Sequence, residues 1–337
     1  MALIPQNEYW SVYETEKDKF NLRLESSSIE ECKEDEVIIE SIYSSINYRD
    51  ILACKGNKGV ARRFPYTPGV DIVGKIYHSE SKNFKVGDIV FSHAAGDRDL
   101  IPGGWSRFVK AKSSAIKKIP ESLDSFAVAI IGTAGLAAAL GIISIQLNVN
   151  LDQDKEFDIL ITGASGGVGS IGVMLASEIG WNVTASSRDI DHNKDYLEKL
   201  GAKNLLSFKD LTAVSNQNLL RSKFNGVLDT LGGNSLTSSL RQLKNGGSLS
   251  SAGLVLSQDL DNLTVLPFLM RGNSICGTGA EVATKWKLDK AEKLISEYTS
   301  LKKLQVIQSK CNFNEINKYF DQDSNFAIGG RTVIIFD

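Results

Sequence analysis

Cysteine is scarce in this chain of 337 residues, and the four present (Cys32, Cys54, Cys276 and Cys311) stand far apart. Without paired spacing they suggest neither a disulfide framework nor a tight metal knuckle. Proline is scarce too, at 6 residues, whereas glycine reaches 29. A glycine surplus without proline points to tight turns and close backbone approaches in a folded protein, not to disorder or a collagen repeat. Charge of one sign is also lacking. The 38 basic residues meet 40 acidic ones for a formal net charge of −2, so the basic excess of a dedicated nucleic-acid binder is absent. At Met1-Ala2-Leu3-Ile4-Pro5 no basic segment leads into an apolar run. No secretory signal is therefore expected, and the expected setting is the cytoplasm.

Long uncharged runs are missing except for one. Ser125 to Asn150 carries no charge, and Phe126 to Ile143 is mostly apolar, long enough to be tested as a membrane span. The run is diluted by Gly132, Thr133, Gly135, Gly141 and six alanines, and no basic cluster marks a flank. A buried helix of a large domain is the expectation, with no membrane partner.

The first third reads as β-rich, with strands at Glu36–Ser44 and Asp88–Ser92 among turn glycines. From about Phe157 to Gly277 the rhythm becomes strand, glycine turn, helix. Candidate strands are Asp158–Thr162, Trp181–Ala185, Asn204–Ser207, Gly226–Asp229, Gly247–Ser251 and Ser274–Gly277. Such alternation implies parallel βαβ units in a doubly wound sheet, an α/β fold. Arg331–Phe336 returns to β character, as a last strand expected to rejoin the first domain.

The strongest local signal is the run from Asp158 to Gly169 (DILITGASGGVG), an apolar strand entering a glycine loop. Val168, Ile171, Leu175 and Ile179 follow at the spacing of one helical face. Glycines there let backbone approach a pyrophosphate, and the helix start turns free N–H groups toward its charge. Two registers fit the fingerprint: Gly167-x-Gly169-x-x-Gly172, and Ala164-x-Gly166-x-x-Gly169. The second is preferred because Gly172 then falls inside the helix. Ser165, Gly166, Gly167 and Val168 are the expected phosphate cradle.

About twenty residues on, where an NAD enzyme usually carries an acid for the ribose hydroxyls, stands Ala185-Ser186-Ser187-Arg188. The two hydroxyls of Ser186 and Ser187 and the guanidinium of Arg188 suit the 2′-phosphate of NADPH, since arginine grips phosphate in a fork. Asp189 follows directly and keeps NAD open. Asp229-Thr230-Leu231-Gly232-Gly233 and Ser251-Ala252-Gly253-Leu254 end later strands and would line the same crevice; Gly253 and Leu254 are candidate cofactor contacts.

These pieces, with Ile46-Asn47-Tyr48-Arg49-Asp50, Pro68 to Gly74, Ile131 to Gly135, Pro267 to Arg271 and Gly330-Arg331 in this order, resemble the medium-chain dehydrogenase/reductase superfamily along nearly the whole chain. More narrowly, the chain resembles the YhdH/YhfP branch of quinone-oxidoreductase-like proteins. The resemblance implies a GroES-like catalytic domain from both chain ends (1–125 and 306–337) around a Rossmann NADP-binding domain (126–305). It also implies a homodimer joined through edge strands, here Ser274–Gly277. Asn47 and Thr133 would contact the nicotinamide end. Tyr48 is the candidate proton donor or carbonyl partner, its alternative role being a packed aromatic. Arg49 stands where the branch has Lys, and its alternative role is an ion pair with Asp50 or Asp71.

The resemblance also shows what this chain lacks. Zinc enzymes of the superfamily carry Gly-His-Glu where Gly69-Val70-Asp71 stands here, and their other ligand position falls at Asn47. Valine cannot bind zinc, and His78, His93 and His192 do not rebuild a site. A zinc-independent, NADPH-dependent enzyme is therefore expected, passing hydride to the β-carbon of a C=C bond polarised by a carbonyl, with an acrylyl-CoA-like thioester as first substrate. The alternatives are a quinone or small-enone reductase and a non-catalytic NADPH-binding sensor. Two departures from the branch, Gly277-Thr278-Gly279-Ala280 and the loop Ser92–Trp105, bear on the substrate. Arg62, Arg63, Arg271 and Arg331 are candidate partners for a phosphorylated one.

Overall fold

The computed structural model describes residues 6–93, 103–149, 156–320 and 329–337. Most of the divergent loop Ser92–Trp105 lies outside them. In chain order the elements are β1 (Gln6–Glu16), β2 (Lys19–Ser28), β3 (Glu36–Ile46), α1 (Tyr48–Cys54), β4 (Asp71–Ser79), β5 (Ile89–His93), β6 (Phe108–Lys112), β7 (Lys117–Lys118) and α2 (Ser125–Asn148). There follow β8 (Asp158–Ile161), α3 (Gly167–Glu178), β9 (Asn182–Ser187), α4 (Ile190–Leu200), β10 (Asn204–Ser207), α5 (Phe208–Leu211), β11 (Phe224–Asp229), α6 (Gly233–Leu240), β12 (Leu243–Ser251), α7 (Leu266–Arg271) and β13 (Ser274–Gly277). The chain ends with α8 (Lys285–Tyr298), α9 (Leu301–Ile307), β14 (Gln308–Asn312) and β15 (Arg331–Ile335).

The chain divides into two compact units, Met1–Thr133 with Gln308–Asp337, and Ala134–Ile307. The sequence places the junctions at 125/126 and 305/306. In the structure they fall at 133/134 and 307/308, the first inside α2 just past its break at Gly132, where Thr133 hydrogen-bonds Asp71 of the first unit.

In the first unit, the sheet order is β14-β15-β3-β4-β5-β7, with β6 also pairing with β3. The expected return of the C-terminal strand is realised: β15 lies antiparallel to β3, Val333 opposite Ser45. The β1–β2 hairpin pairs as a separate ribbon. One core cluster explains why both chain ends meet here. It gathers Trp10, Ile46, Ile51, Trp105, Phe313, Ile316 and Ile334, and the Trp10 indole N–H donates to the Phe313 carbonyl at 2.8 Å. The hairpin, β4, β6, β7 and β14 have no counterpart in the sequence reading, because their apolar residues alternate weakly and their partners are distant in sequence.

In the second unit, six parallel strands run β10-β9-β8-β11-β12-β13, the doubly wound arrangement expected. The apolar strand centres pack in a cluster of Leu160, Val227, Leu236, Leu240 and Leu249 among others. Strand order reverses between β8 and β11, so the loops that follow them flank the switch point where such sheets bind ligands. Arg271 is not a surface charge here. Its guanidinium donates to the carbonyls of Leu220, Arg241 and Leu243 at 2.6–3.0 Å, closing the end of β12 onto α7.

The apolar run forms α2, and 83% of its most apolar 18-residue window is buried within the fold, as expected of a core helix. Its course breaks at Gly132, whose φ of 48° and ψ of −160° no other residue type adopts without strain.

Candidate cofactor and active site

In the first unit, a candidate site forms around Asp71 at the start of β4, which is 1% exposed. Its Oδ1 accepts the backbone N–H of Thr133 at 2.7 Å and the Thr133 hydroxyl at 2.6 Å. Its Oδ2 accepts from Ser45 Oγ, from Asn47 Nδ2 at 2.9 Å and from Arg331 Nη2 at 3.1 Å. Burial alone would push Asp71 up. The facing His93 and the Arg331 guanidinium, with the Ser45 bond, outweigh it and hold the carboxyl far below the usual carboxylate range. His93 Nδ1 itself stands 3.6 Å from Oδ1, beyond hydrogen-bond length.

Arg331 is 2% exposed, which overturns its reading as a partner for a phosphorylated substrate. It donates from Nε to the Ile130 carbonyl at 2.8 Å, from Nη1 to Asn47 Oδ1 at 2.8 Å and from Nη2 to Ser45 Oγ at 2.9 Å. The Gly132 break exists for this pair: a Cβ there would overlap Asp71 Oδ2 and Arg331 Nη2. The ion pair at Asp71 is made by Arg331. Arg62 and Arg63 are exposed in the loop after α1.

Asn47 caps α1 and is almost spent as a ligand group. Its Nδ2 donates to Ser45 Oγ and Asp71, so both amide hydrogens are committed, and its Oδ1 accepts from Arg331. Its backbone N–H donates to Asp50 Oδ2 at 2.8 Å, and Gly69 N–H donates to Asp50 Oδ1 at 2.8 Å. Asp50 is fully buried, and burial pushes it up to about 6 against those bonds. Tyr48, the first helical residue, is 42% exposed; Arg49 beside it is half-buried. The structure therefore brings Asn47 and Thr133 onto one carboxylate, which motif reading missed: Asp71 and Arg331 lie 260 residues apart.

A separate candidate cofactor site lies in the second unit. Helix α3 begins at Gly167 with Gly166 as its N-cap, so Gly172 lies inside the helix, as the preferred register requires. Gly163 takes φ 55°, and a Cβ at Gly169 would overlap the Gly163 carbonyl; the loop and helix touch backbone to backbone. Ser165, Gly166, Gly167 and Val168 are half-buried at the helix start. Across the switch point, Thr162 Oγ1 donates to Asp229 Oδ1 at 2.7 Å and accepts from Thr230 N–H at 3.0 Å. Gly232 N–H and Ser235 Oγ also donate to Asp229. With no cation near, burial pushes Asp229 up; it ties two loops together and has no face to offer a ligand. A Cβ at Gly253 would overlap the Thr230 carbonyl, and Leu254 beyond it is 55% exposed.

At the end of β9, Arg188 is exposed. Ser186 is 1% exposed and its hydroxyl is buried without a protein partner. Ser187, the second hydroxyl of that run, faces Ser165 Oγ at 3.5 Å and accepts from Asn193 Nδ2 at 3.2 Å. Asp189 caps α4, accepting the His192 N–H at 3.0 Å. A glycine cradle too tight for side chains, a helix start and an orphaned hydroxyl fit a dinucleotide.

The chain matches the family models described as alcohol dehydrogenase GroES-like domain over residues 33–121 and zinc-binding dehydrogenase over residues 167–297. Position 70 is valine, and among the described residues no three His, Cys, Asp or Glu side chains gather as a ligand set. The chain is 32% identical over 308 residues to AcuI of Escherichia coli (strain K12), by name an acrylyl-CoA reductase, spanning 89% of this chain and 91% of that one. It is 33% identical over 267 residues (78% and 79%) to YhfP of Bacillus subtilis (strain 168), whose name places it with the quinone oxidoreductases. A solved structure of yhfP with NAD bound superposes with a TM-score of 0.88 at 27% identity, covering 98% of this chain and 99% of that one. The yhdH oxidoreductase of Salmonella enterica in complex with NADP gives 0.88 at 26% identity, covering 98% and 100%.

The buried Asp50 makes stability depend on pH. Its raised value means that the folded chain keeps a proton that the unfolded chain releases between pH about 4 and about 6. Stability therefore falls through that window, by up to ~1.4 kcal/mol per pH unit, and levels above it. Asp71 acts in the opposite sense: its contribution is present above about pH 4 and is lost as pH falls below. Urea unfolding of D50N across pH 4.5 to 7 should lose the decline; a slope equal to that of the native chain would remove Asp50 as its source.

Proposed function

The chain belongs to the medium-chain dehydrogenase/reductase superfamily, and from that premise we propose that it is an NADPH-dependent reductase of C=C bonds polarised by a carbonyl, an acrylyl-CoA-like thioester being its first substrate class. The observation that carries this reading is the donor set around Asp71. Val70 offers no metal-binding atom, and the Asn47 amide is bonded within the protein. Activation of a carbonyl then falls to hydrogen-bond donors rather than to a Lewis acid.

Bound NADPH supplies a hydride from C4 of its nicotinamide. The Gly166–Val168 helix start holds the pyrophosphate through its N–H groups. Asn47 and Thr133 hold the nicotinamide end. As the alkene β-carbon gains hydride, negative charge grows on the carbonyl oxygen, and the neighbouring carbon takes a proton, so that one hydride and one proton add across the double bond. Tyr48, exposed at the start of α1, donates its phenolic hydrogen to that oxygen or relays the proton from water. Arg49 next to it keeps positive charge near the growing negative charge.

The preference for NADPH is supported by the fate of Asp189. Its carboxylate caps α4, so the one acid at the end of β9 is engaged with backbone, while Arg188 is exposed. A quinone or small-enone reductase is the second reading, supported by the likeness to YhfP. A homodimer along β13 belongs to the same proposal: β13 is an edge strand, and α7 before it exposes Leu269 and Met270 at 75% and 63%.

Three measurements test these assignments. NADPH absorbance should fall when acrylyl-CoA is added. Turnover of quinones with no acyl-CoA would move the assignment to the second reading, and tight NADPH binding with no turnover of any alkene or quinone would leave a sensor. R188A should weaken NADPH binding about tenfold or more while leaving NADH nearly unchanged; equal losses would refute the 2′-phosphate role. Light scattering should give twice the chain mass, and a monomer mass would remove the β13 pairing.

A further inference from the structure

Thr133 has its hydrogen committed. A hydroxyl carries one hydrogen and two lone pairs, and an ionised carboxylate only accepts. Asp71 Oδ1 lies 2.6 Å from Thr133 Oγ1 and 2.7 Å from Thr133 N, so both Thr133 hydrogens point at it. Asp71 cannot release them by turning. Its Oδ2 is tied to Ser45, Asn47 and Arg331, and Arg331, which only donates, is locked by the Ile130 carbonyl and Asn47 Oδ1. The same arginine sets the flip of the Asn47 amide, with oxygen toward Arg331 and nitrogen toward Asp71. What half-buried Thr133 can still offer a ligand is lone pairs.

We infer that Asp71 is a positioning residue that presents the Thr133 hydroxyl as an acceptor only, so that the ligand group it takes is a hydrogen-bond donor: the carboxamide NH2 of the nicotinamide or a hydroxyl of its ribose. The inference rests on the proposal that Thr133 contacts the nicotinamide end. It adds a polarity to that contact and assigns the polarity to a residue that need not touch the cofactor. Asp71 then acts on cofactor affinity through Thr133, and its effect vanishes when the hydroxyl does.

The test measures binding of NADPH to the full chain by the emission of bound reduced nicotinamide, with thermal unfolding recorded for each variant. T133V should weaken binding about tenfold, the loss of one hydrogen bond, and T133S should recover most of it. D71N should weaken binding in the native chain and add little in T133V; where D71N alone does not fold, the neutral pair D71N/R331Q takes its place. The reduced 3-acetylpyridine analogue, which lacks the carboxamide NH2, separates the donors. If the carboxamide donates, T133V no longer matters to the analogue; if a ribose hydroxyl donates, T133V costs the same with both. The inference falls if T133V binds as the native chain does, if T133S is as weak as T133V, or if D71N costs the same in both backgrounds. A native chain that does not bind NADPH would instead sink the function proposed above.

Discussion

Two opposite charges held out of water constrain the first unit. Removing a carboxylate and a guanidinium from solvent costs several kcal/mol each, and pairing offsets that only when the remaining donors and acceptors are also satisfied. Asp71 and Arg331 meet this demand with backbone and side chains from β3, the turn before α1, the start of α2 and β15. The two charges can be buried only if the C-terminal strand returns to β3 and the helix breaks at Gly132 to make room. The pair is thus a condition on topology as much as a local contact.

Three buried aspartates show how environment divides one chemical group into different roles. Asp71 has a guanidinium and stays ionised as an acceptor around which other groups are arranged. Asp50 and Asp229 accept from backbone N–H groups and, at Asp229, from hydroxyls, and burial raises both. Asp50 closes the start of α1 onto Gly69, while Asp229 joins the loops after β8 and β11. None faces a ligand directly. Their effect on chemistry runs through the neighbours they hold: Asn47 and Thr133 in one unit, the glycine loop in the other.

Much of the second unit was legible from its residues. Strand boundaries at Asn204–Ser207 and Ser274–Gly277 agree with the structure, and the loop register follows from where Gly172 must fall. Parallel strands buried on both faces form short apolar runs between glycine turns, a local signal. The first unit was harder. Its hairpin and short strands alternate weakly, and their pairing is set by partners far along the chain. The run Ser186-Ser187-Arg188 was legible as a polar strand end, but that the Ser186 hydroxyl is left without a protein partner while Ser187 bonds Asn193 depends on tertiary neighbours. Arg331 was read as a partner for a phosphorylated substrate because its counterion lies 260 residues away.

The family resemblance implied that both chain ends build the first unit and that valine stands where a zinc ligand would be, while the residues by themselves determined that an αβ-repeating unit carries a dinucleotide-type loop and that the C-terminal residues return to strand. These are properties of local spacing and side-chain chemistry, so they need no coordinates. Only the tertiary structure decided which hydrogen bonds Asn47 and Thr133 have left to offer and which aspartate keeps its charge. Those outcomes depend on burial and on donors from distant segments, and no window along the chain contains them.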